Sequence, residues 1–231
     1  MNRVKLKICG LKRSEDVLLV NRYRPDYAGF VFAGEKRRIT PEQAAELRRL
    51  LLPEIQSVGV FVNADPELII RLAETGVIDL IQLHGDEDEN YIKQLRQRTK
   101  HKILRALRVQ RAEDIIRAAE LSADYLLFDT YRPGMYGGSG KSFDWRIIGE
   151  AQESLESRGK YLPDYFMAGG ICAENVAEAI ALQSYALDVS SGVEADGVKS
   201  EEKLREFTKH YYRCLENSST VLKSSVGHIL K

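Results

Sequence analysis

Residues 4–10, VKLKICG, form the first of eight short apolar or β-branched runs in this 231-residue chain. Most runs begin 21 to 29 residues apart, which leaves room for a loop and a helix between successive strands. Eight strand–helix units without a break in composition predict a single (β/α)8 TIM barrel, an α/β fold. An open doubly wound sheet is the competing fold, but it would not usually need eight strands in so few residues. The other runs are AGFVFA at 28, SVGVFVN at 57, LIQLHG at 80, KILRALR at 102, YLLFDT at 125, YFMAGG at 165 and ALDVSSG at 186.

The segments between these runs carry helix signals. EDIIRAAEL and AENVAEAIAL place apolar residues at i, i+3 and i+4, the pattern of an amphipathic helix. After residue 215 this periodicity fades, so we divide the chain into a barrel over residues 1–215 and a C-terminal tail over 216–231. Predicted helix ends are the N-caps Ser14, Thr40 and Asp65, the first-turn prolines Pro41 and Pro66, and the closing Gly76.

The composition argues against several protein classes. Lys+Arg and Asp+Glu are equal at 34 each, so bulk charge favours neither a nucleic acid nor a membrane partner. The N-terminus lacks the apolar core of a signal peptide, and no run has the length of a membrane span. The cysteines, Cys9, Cys172 and Cys214, have neither disulfide-ladder nor zinc-site spacing. We expect a cytoplasmic protein with no metal site.

Strand alternation predicts which side chains face the barrel interior. In the first strand Val4, Leu6 and Ile8 should pack outward against helices, which turns Lys5, Lys7 and Cys9 inward. Active sites of this fold lie at the carboxyl ends of the strands. A satisfied core residue is the alternative for any one polar side chain, but several at one end would be costly without a purpose. The residues predicted to face inward or toward this mouth are Cys9, Asn63, Gln82, His84, Arg105, Asp129, Asp188 and Ser190.

Two glycine-rich stretches follow the last two strands, AGGICAENV at 168 and DVSSGVE at 188. Backbone N–H groups of these two loops often bind phosphate in such barrels. Either stretch alone is more often a simple turn, but the pair predicts a phosphorylated small-molecule ligand. A third glycine-rich segment, RPGMYGGSGKSFDW, lengthens the interval after strand six to about 40 residues, as functional loops do. The predicted phosphate-binding residues are Gly169, Gly170, Ser190, Ser191 and Gly192.

Seven short motifs, in order along the chain, resemble those of the phosphoribosylanthranilate isomerase family. They are KICG, GFVF, GVFVN, QLHGDE, GGSGKSFDW, GGICAENV and DVSSGVE. The resemblance runs from residue 4 to about residue 210. It implies an Amadori rearrangement in tryptophan biosynthesis, in which N-(5-phosphoribosyl)anthranilate becomes 1-(2-carboxyphenylamino)-1-deoxy-D-ribulose 5-phosphate. It implies no cofactor, and we expect a monomer or a homodimer.

The resemblance also implies residue roles. Cys9 of KICG matches the family's general base, and Asp129 matches its general acid. The arginine that holds the anthranilate carboxylate matches Arg37, with Arg38 as the alternative because the loop AGEKRRITPE is one residue short and lacks the usual proline. A solvated loop is the other reading of this basic run. Further substrate contacts are expected from Gln82, His84, Gly138 and Asp188.

Lys7 lies two residues before Cys9 on the same strand face, roughly 6.5 Å away by strand geometry. We expect its charge to lower the pKa of the Cys9 thiol and make it a usable base; a buried, inert cysteine is the alternative. Two rival functions remain: another phosphosugar isomerase, such as the histidine-pathway enzyme with its two aspartates, and a non-catalytic phosphate-binding scaffold.

Overall fold

Eight parallel strands close into a barrel in sequence order, which confirms the predicted fold. The computed structural model describes the backbone of residues 3–130 and 146–226, and the side chains of residues 3–129 and 146–216. Gly138 therefore lies outside the described residues. The strands are β1 Lys5–Cys9, β2 Tyr27–Val31, β3 Gln56–Phe61, β4 Leu80–Leu83, β5 Lys102–Val109, β6 Tyr125–Thr130, β7 Tyr165–Met167 and β8 Ala186–Val189.

Helices separate the strands and surround the barrel. After β8 the chain forms a 3-10 turn over Ser191–Val193 and a small antiparallel hairpin of β9, Glu194–Ala195, and β10, Val198–Lys199. None of the helices in the described part of the chain is both long and apolar enough to cross a membrane. The helices are α1 Ser14–Tyr23, α2 Pro41–Leu50, α3 Pro66–Glu74, α4 Glu89–Arg98, α5 Ala112–Ala118, α6 Arg146–Glu156, α7 Val176–Ala181 and α8 Glu201–Val226.

The last helix passes the boundary that we placed at residue 215. α8 continues as a helix to Val226, so residues 216–226 extend a barrel helix and do not begin a separate irregular segment. The division of the chain into barrel and tail stays a prediction.

Helix starts follow local capping chemistry. Thr40 accepts a hydrogen bond from the Gln43 amide, and Asp65 accepts one from the Glu67 amide, as N-caps do. The prediction for Ser14 is wrong, because Ser14 is already helical and Arg13 is the N-cap. The Asp16 carboxylate, in the first turn, accepts from the backbone N–H groups of Lys12 and Arg13 and so joins the helix to the residues that precede it.

Two apolar clusters stabilise the barrel. The larger one lies between strands and helices and includes Leu6 and Ile8, so the outward face of β1 is as predicted. The smaller one fills the barrel interior, where Leu104 and Ala106 of β5 meet the inward residues of other strands. Arg105 lies between those two residues and therefore points outward, which contradicts its predicted inward direction. Its guanidinium donates to the carbonyls of Leu83 and Gly85.

Candidate active site

Cys9 ends β1 at the carboxyl mouth of the barrel and is only 8% exposed. Its carbonyl oxygen accepts hydrogen bonds from Lys199 Nζ at 2.6 Å and from Ser190 Oγ at 3.0 Å. The backbone that carries the thiol is therefore held by two side chains that follow β8. Such anchoring fixes the backbone position from which the thiol projects, and a proton-transfer group needs a fixed position.

A buried ion pair lies on the inward face beside Cys9. Lys7 Nζ donates to Asp188 Oδ2 at 2.7 Å, and Lys7 is fully buried. Burial by itself favours the neutral amine, but the charges and hydrogen bonds of Asp188 and Cys9 outweigh it and raise the pKa of Lys7. The ammonium form is thus maintained within the barrel. The second carboxylate oxygen, Asp188 Oδ1, is buried and has no hydrogen-bond partner among the described residues.

The pKa of the Cys9 thiol is raised, not lowered as we expected from Lys7. Burial is the largest cause, and the negative charge of Asp188 acts in the same direction. The positive charges of Lys7 and Lys199 favour the thiolate but do not outweigh burial. The predicted influence of Lys7 therefore has the correct sign, while the net pKa shift has the opposite one.

Arg37 lies against Gly10, the residue after Cys9, and is held by a carboxylate. Its Nε and Nη2 donate to the two carboxylate oxygens of Glu194 at 2.9 and 2.6 Å, and Lys199 Nζ donates to the same carboxylate at 2.7 Å. Burial raises the pKa of Glu194, but Arg37 and Lys199 outweigh burial and lower it to about 2. Glu194 is therefore ionised at neutral pH, between Arg37 and Lys199, although burial lowers the pKa of Lys199. By contrast Arg38 is exposed, and its backbone bridges to Val31.

Sequence reasoning missed Glu194 and Lys199, although a signal for them was present. Asp196-Gly197 is a two-residue hairpin turn, and both residues have positive φ, 50° and 74°. Such a turn pairs Ala195 with Val198 and Glu194 with Lys199, which is the observed register. An Asp-Gly pair directly after a phosphate-type loop could therefore have placed both charged side chains together.

A second polar group lies on the strands β4 and β6. The Gln82 amide nitrogen donates to His84 Nδ1 at 3.0 Å, which leaves the ring proton of neutral His84 on Nε2. Nε2 lies 3.4 Å from Asp129 Oδ2. Three of the predicted mouth residues are thus brought together, with His84 between Gln82 and Asp129. The Gln82 carbonyl oxygen is buried and has no hydrogen-bond partner among the described residues.

Asn63, also predicted at the mouth, has a structural role in the described part of the chain. Its side-chain oxygen accepts from the Asp86 amide, and its own backbone N–H donates to Glu87. Asn63 therefore joins the loops after β3 and β4.

The two glycine-rich loops adjoin each other at the same mouth. Gly169 and Gly170 have φ values of 85° and 70°, in the left-handed region that favours glycine. A Cβ on Gly192 would overlap with the carbonyl oxygen of Ile171, so this glycine allows the loops after β7 and β8 to touch. The Ser190 hydroxyl donates to the Cys9 backbone carbonyl, so this side chain is committed to holding the end of β1, and Ser191 begins the 3-10 turn. No cluster of three or more metal-ligating side chains occurs within the described ranges.

Comparison with known proteins agrees with this geometry. The sequence model of the N-(5′-phosphoribosyl)anthranilate (PRA) isomerase family matches residues 6–210. The chain is 48% identical over 218 residues to the N-(5′-phosphoribosyl)anthranilate isomerase of Lachnoclostridium phytofermentans, which covers 93% of this chain and 100% of the relative.

Solved structures of such isomerases superimpose on the barrel. A dimeric enzyme from Thermotoga maritima, crystallised as generated monomers, has a TM-score of 0.74 and 32% identity, over 90% of this chain and 98% of that one. Another, in complex with reduced 1-(o-carboxyphenylamino)-1-deoxyribulose 5-phosphate, has a TM-score of 0.72 and 32% identity, with the same coverage. The chain belongs to the N-(5′-phosphoribosyl)anthranilate isomerase family and catalyses its step of tryptophan biosynthesis, the Amadori rearrangement of N-(5-phosphoribosyl)anthranilate to 1-(2-carboxyphenylamino)-1-deoxy-D-ribulose 5-phosphate.

Proposed function

We propose that this barrel performs the rearrangement by general acid–base catalysis, with Asp129 as the acid and Cys9 as the base. The observation that supports this most is that the two groups lie at the carboxyl ends of β6 and β1, at one mouth, each beside charged or hydrogen-bonding neighbours. The acid protonates the furanose ring oxygen as the ring opens. The base then removes the proton at C2′ of the iminium intermediate.

Polar groups without partners support the roles of Gln82 and Asp188 in substrate binding. Gln82 Oε1 and Asp188 Oδ1 are buried acceptors with no partner among the described residues, a situation that costs about 1–3 kcal/mol each. The open-chain sugar carries hydroxyl groups that can donate to such acceptors. His84 lies between Gln82 and Asp129, and we assign it the positioning of the acid.

Arg37 is the proposed partner of the anthranilate carboxylate. Two of its nitrogens are occupied by Glu194, so its orientation is fixed before any ligand arrives. Because Lys199 also balances Glu194, a second carboxylate on Arg37 would not face an uncompensated negative charge. Arg38 has no comparable support from the described residues.

We therefore expect Arg37→Ala to raise KM for the substrate by about tenfold to a hundredfold, the loss of a charged hydrogen bond. Arg38→Ala, the matched control on the exposed neighbour, should leave KM nearly unchanged. Steady-state kinetics of both purified variants measures the difference. Equal KM values for the two variants would show that residues other than Arg37 bind the anthranilate carboxylate.

The glycine loops at 169–170 and 190–192 are the proposed phosphate site. A phosphorylated product analogue should raise Tm in a thermal-denaturation experiment, because a ligand that binds only the native state stabilises it. The dephosphorylated analogue should raise Tm far less at the same concentration. If the two compounds shift Tm equally, the phosphate is not bound by these loops.

The charged neighbours of Cys9 should tune its thiol in opposite directions. Lys7→Met removes a charge that favours the thiolate, so the pH midpoint for Cys9 alkylation should rise. Asp188→Asn removes a charge that disfavours the thiolate, so the midpoint should fall. Iodoacetamide labelling at Cys9 across a pH series, read by mass spectrometry, measures both.

Because either single change breaks a buried ion pair, the double variant Lys7→Met/Asp188→Asn serves as the folding control. Its midpoint should lie between those of the two single variants. If the midpoint moves in none of the variants, Cys9 can still be the base, but the Lys7–Asp188 ion pair does not control the ionisation of its thiol.

The decay of anthranilate fluorescence tests the activity and the rival functions together. Substrate made in situ should lose its fluorescence when the purified chain is added without any cofactor. A histidine-pathway isomerase or a non-catalytic scaffold would leave the signal unchanged.

We further propose a cytoplasmic enzyme that acts on a phosphorylated small molecule and binds no nucleic acid or membrane. We expect it to exist as a monomer or homodimer, and the dimeric relative supports the homodimer.

A further inference from the structure

The amino-terminal end of the barrel, opposite the isomerase site, carries a cluster of three tyrosines and two lysines. Lys5, Tyr27, Lys102 and Tyr125 are the first residues of β1, β2, β5 and β6, and Tyr185 directly precedes β8. Their side chains meet at the barrel axis, where Tyr27 and Tyr125 belong to the inner apolar cluster and Tyr185 packs against it. None of these five residues has a role in the mechanism proposed above.

Hydrogen bonds in this cluster converge on one oxygen atom. Lys5 Nζ donates to Tyr185 Oη at 2.7 Å, while Tyr27 Oη and Tyr125 Oη lie 3.1 and 3.3 Å from the same atom. Tyr125 Oη accepts from Lys102 Nζ at 2.8 Å, so its own proton is available for Tyr185. Three donors can therefore point at Tyr185 Oη at once only when that oxygen carries no proton.

The same convergence assigns the ionisation to Tyr185 among the three phenols. Burial raises the pKa of Tyr185, but hydrogen bonds from Lys5, Tyr125 and Tyr27 outweigh it and lower this pKa. Burial and the hydrogen bond to Tyr185 raise the pKa of Tyr27, and burial likewise raises that of Tyr125. Lys5 Nζ also lies 4.5 Å above the Tyr185 ring, where the cation adds to the field at the phenol.

Solvent reaches the cluster through a cavity of about 520 Å³, large enough for an aromatic ring. Besides the cluster itself, Lys100 and His101 line it, and both add positive charge when protonated. The acidic groups nearby are engaged elsewhere. Asp79 accepts from the backbone and hydroxyl of Ser57, and Asp26, beside Tyr27, pairs with Arg3 at 2.7 Å.

We propose that Tyr185 is a nucleophilic tyrosine, a covalent modification site for aryl sulfur(VI) fluorides at the end of the barrel opposite the isomerase site. The phenol first loses its proton to solvent, and the phenolate oxygen then attacks sulfur. An S–O bond forms, the S–F bond breaks, and fluoride leaves beside the Lys5 ammonium. No electrons are exchanged with any further reagent, and the aryl ring occupies the cavity.

Labelling with an aryl sulfonyl fluoride tests this directly. At about pH 8 Tyr185 should react about tenfold or more faster than Tyr161 in the same molecule, because hydrogen bonds from Lys5, Tyr27 and Tyr125 stabilise the Tyr185 phenolate. Tyr161 is an internal reference because it is 80% exposed, so exposure alone would favour it. Peptide mapping by mass spectrometry reads both rates.

Two lysine variants separate the direct hydrogen bond from the general field. Lys5→Met should slow labelling at Tyr185 by about tenfold. Lys100→Met removes a charge from the same cavity with no hydrogen bond to Tyr185 among the described contacts, and it should change the rate little. Unchanged isomerase activity in both variants verifies that the barrel is folded.

An ultraviolet titration of tyrosinate provides the independent measurement. Among the 11 tyrosines, one should ionise below the rest, and Tyr185→Phe should abolish that early step. The proposal is overturned if Tyr161 is labelled as fast as Tyr185, or if the early step survives in Tyr185→Phe. Because this site takes no part in the rearrangement, either result leaves the proposed function untouched.

Discussion

The Cys9→Ser variant should lose about 10²- to 10⁴-fold in turnover, the usual contribution of a general base, while retaining its fold. A serine hydroxyl ionises far above any thiol, so it cannot take the C2′ proton near neutral pH. The pKa of the Cys9 thiol is itself raised, chiefly by burial. In the native enzyme, activity should therefore increase with pH through a midpoint above the ordinary thiol value, because the base must be deprotonated.

The control for this substitution is Cys214→Ser on α8, away from the barrel mouth, which should keep its activity. Binding of a phosphorylated product analogue should survive in Cys9→Ser, since the loops at 169–170 and 190–192 are unchanged. These two measurements separate lost chemistry from lost binding. A fully active Cys9→Ser enzyme would overturn the proposed base.

Much of this mouth could be predicted from the strand pattern, because a side-chain period of two leaves little choice once the apolar face is known. Cys9, Lys7 and Asp188 follow that rule and lie where the alternation places them. Arg105 shows its limit. In KILRALR both faces carry apolar residues, and only the barrel interior decides that Leu104 and Ala106 fill it while Arg105 turns outward.

The direction of the Cys9 pKa shift could not be predicted, since it depends on burial and on charges that only the folded barrel brings together. Sequence places Lys7 two residues away and so indicates a lower pKa. The burial of the thiol and the position of Asp188 on β8 are properties of the closed barrel, and together they decide the net shift. A local pattern therefore gives the direction in which one neighbour shifts the pKa, but not the net shift.

Contacts between side chains far apart in the sequence could not be predicted from strand alternation either. Arg37 and Glu194 are 157 residues apart, and their contact depends on where the loop after β2 meets the hairpin after β8. The start of α1 was mispredicted for a local reason, because Asp16 accepts from the backbone N–H groups of Lys12 and Arg13 and the helix begins one residue earlier than a Ser14 cap would allow. Both cases involve polar groups, for which several partners of similar energy are available.

The Asp129→Asn variant should lose about 10²-fold or more in turnover, because an amide of the same size cannot donate a carboxyl proton to the ring oxygen. KM should change less than kcat, since the groups proposed to bind the carboxylate and the phosphate lie on other loops. Asp196→Asn, in the turn of the β9–β10 hairpin, is the matched control and should retain activity.

His84→Gln tests the positioning of the acid separately from the acid itself, because it removes the ring 3.4 Å from Asp129 but leaves the carboxyl group in place. That variant should therefore fall between the native enzyme and Asp129→Asn. Near-normal turnover of a folded Asp129→Asn enzyme in the fluorescence assay would show that another group protonates the ring oxygen.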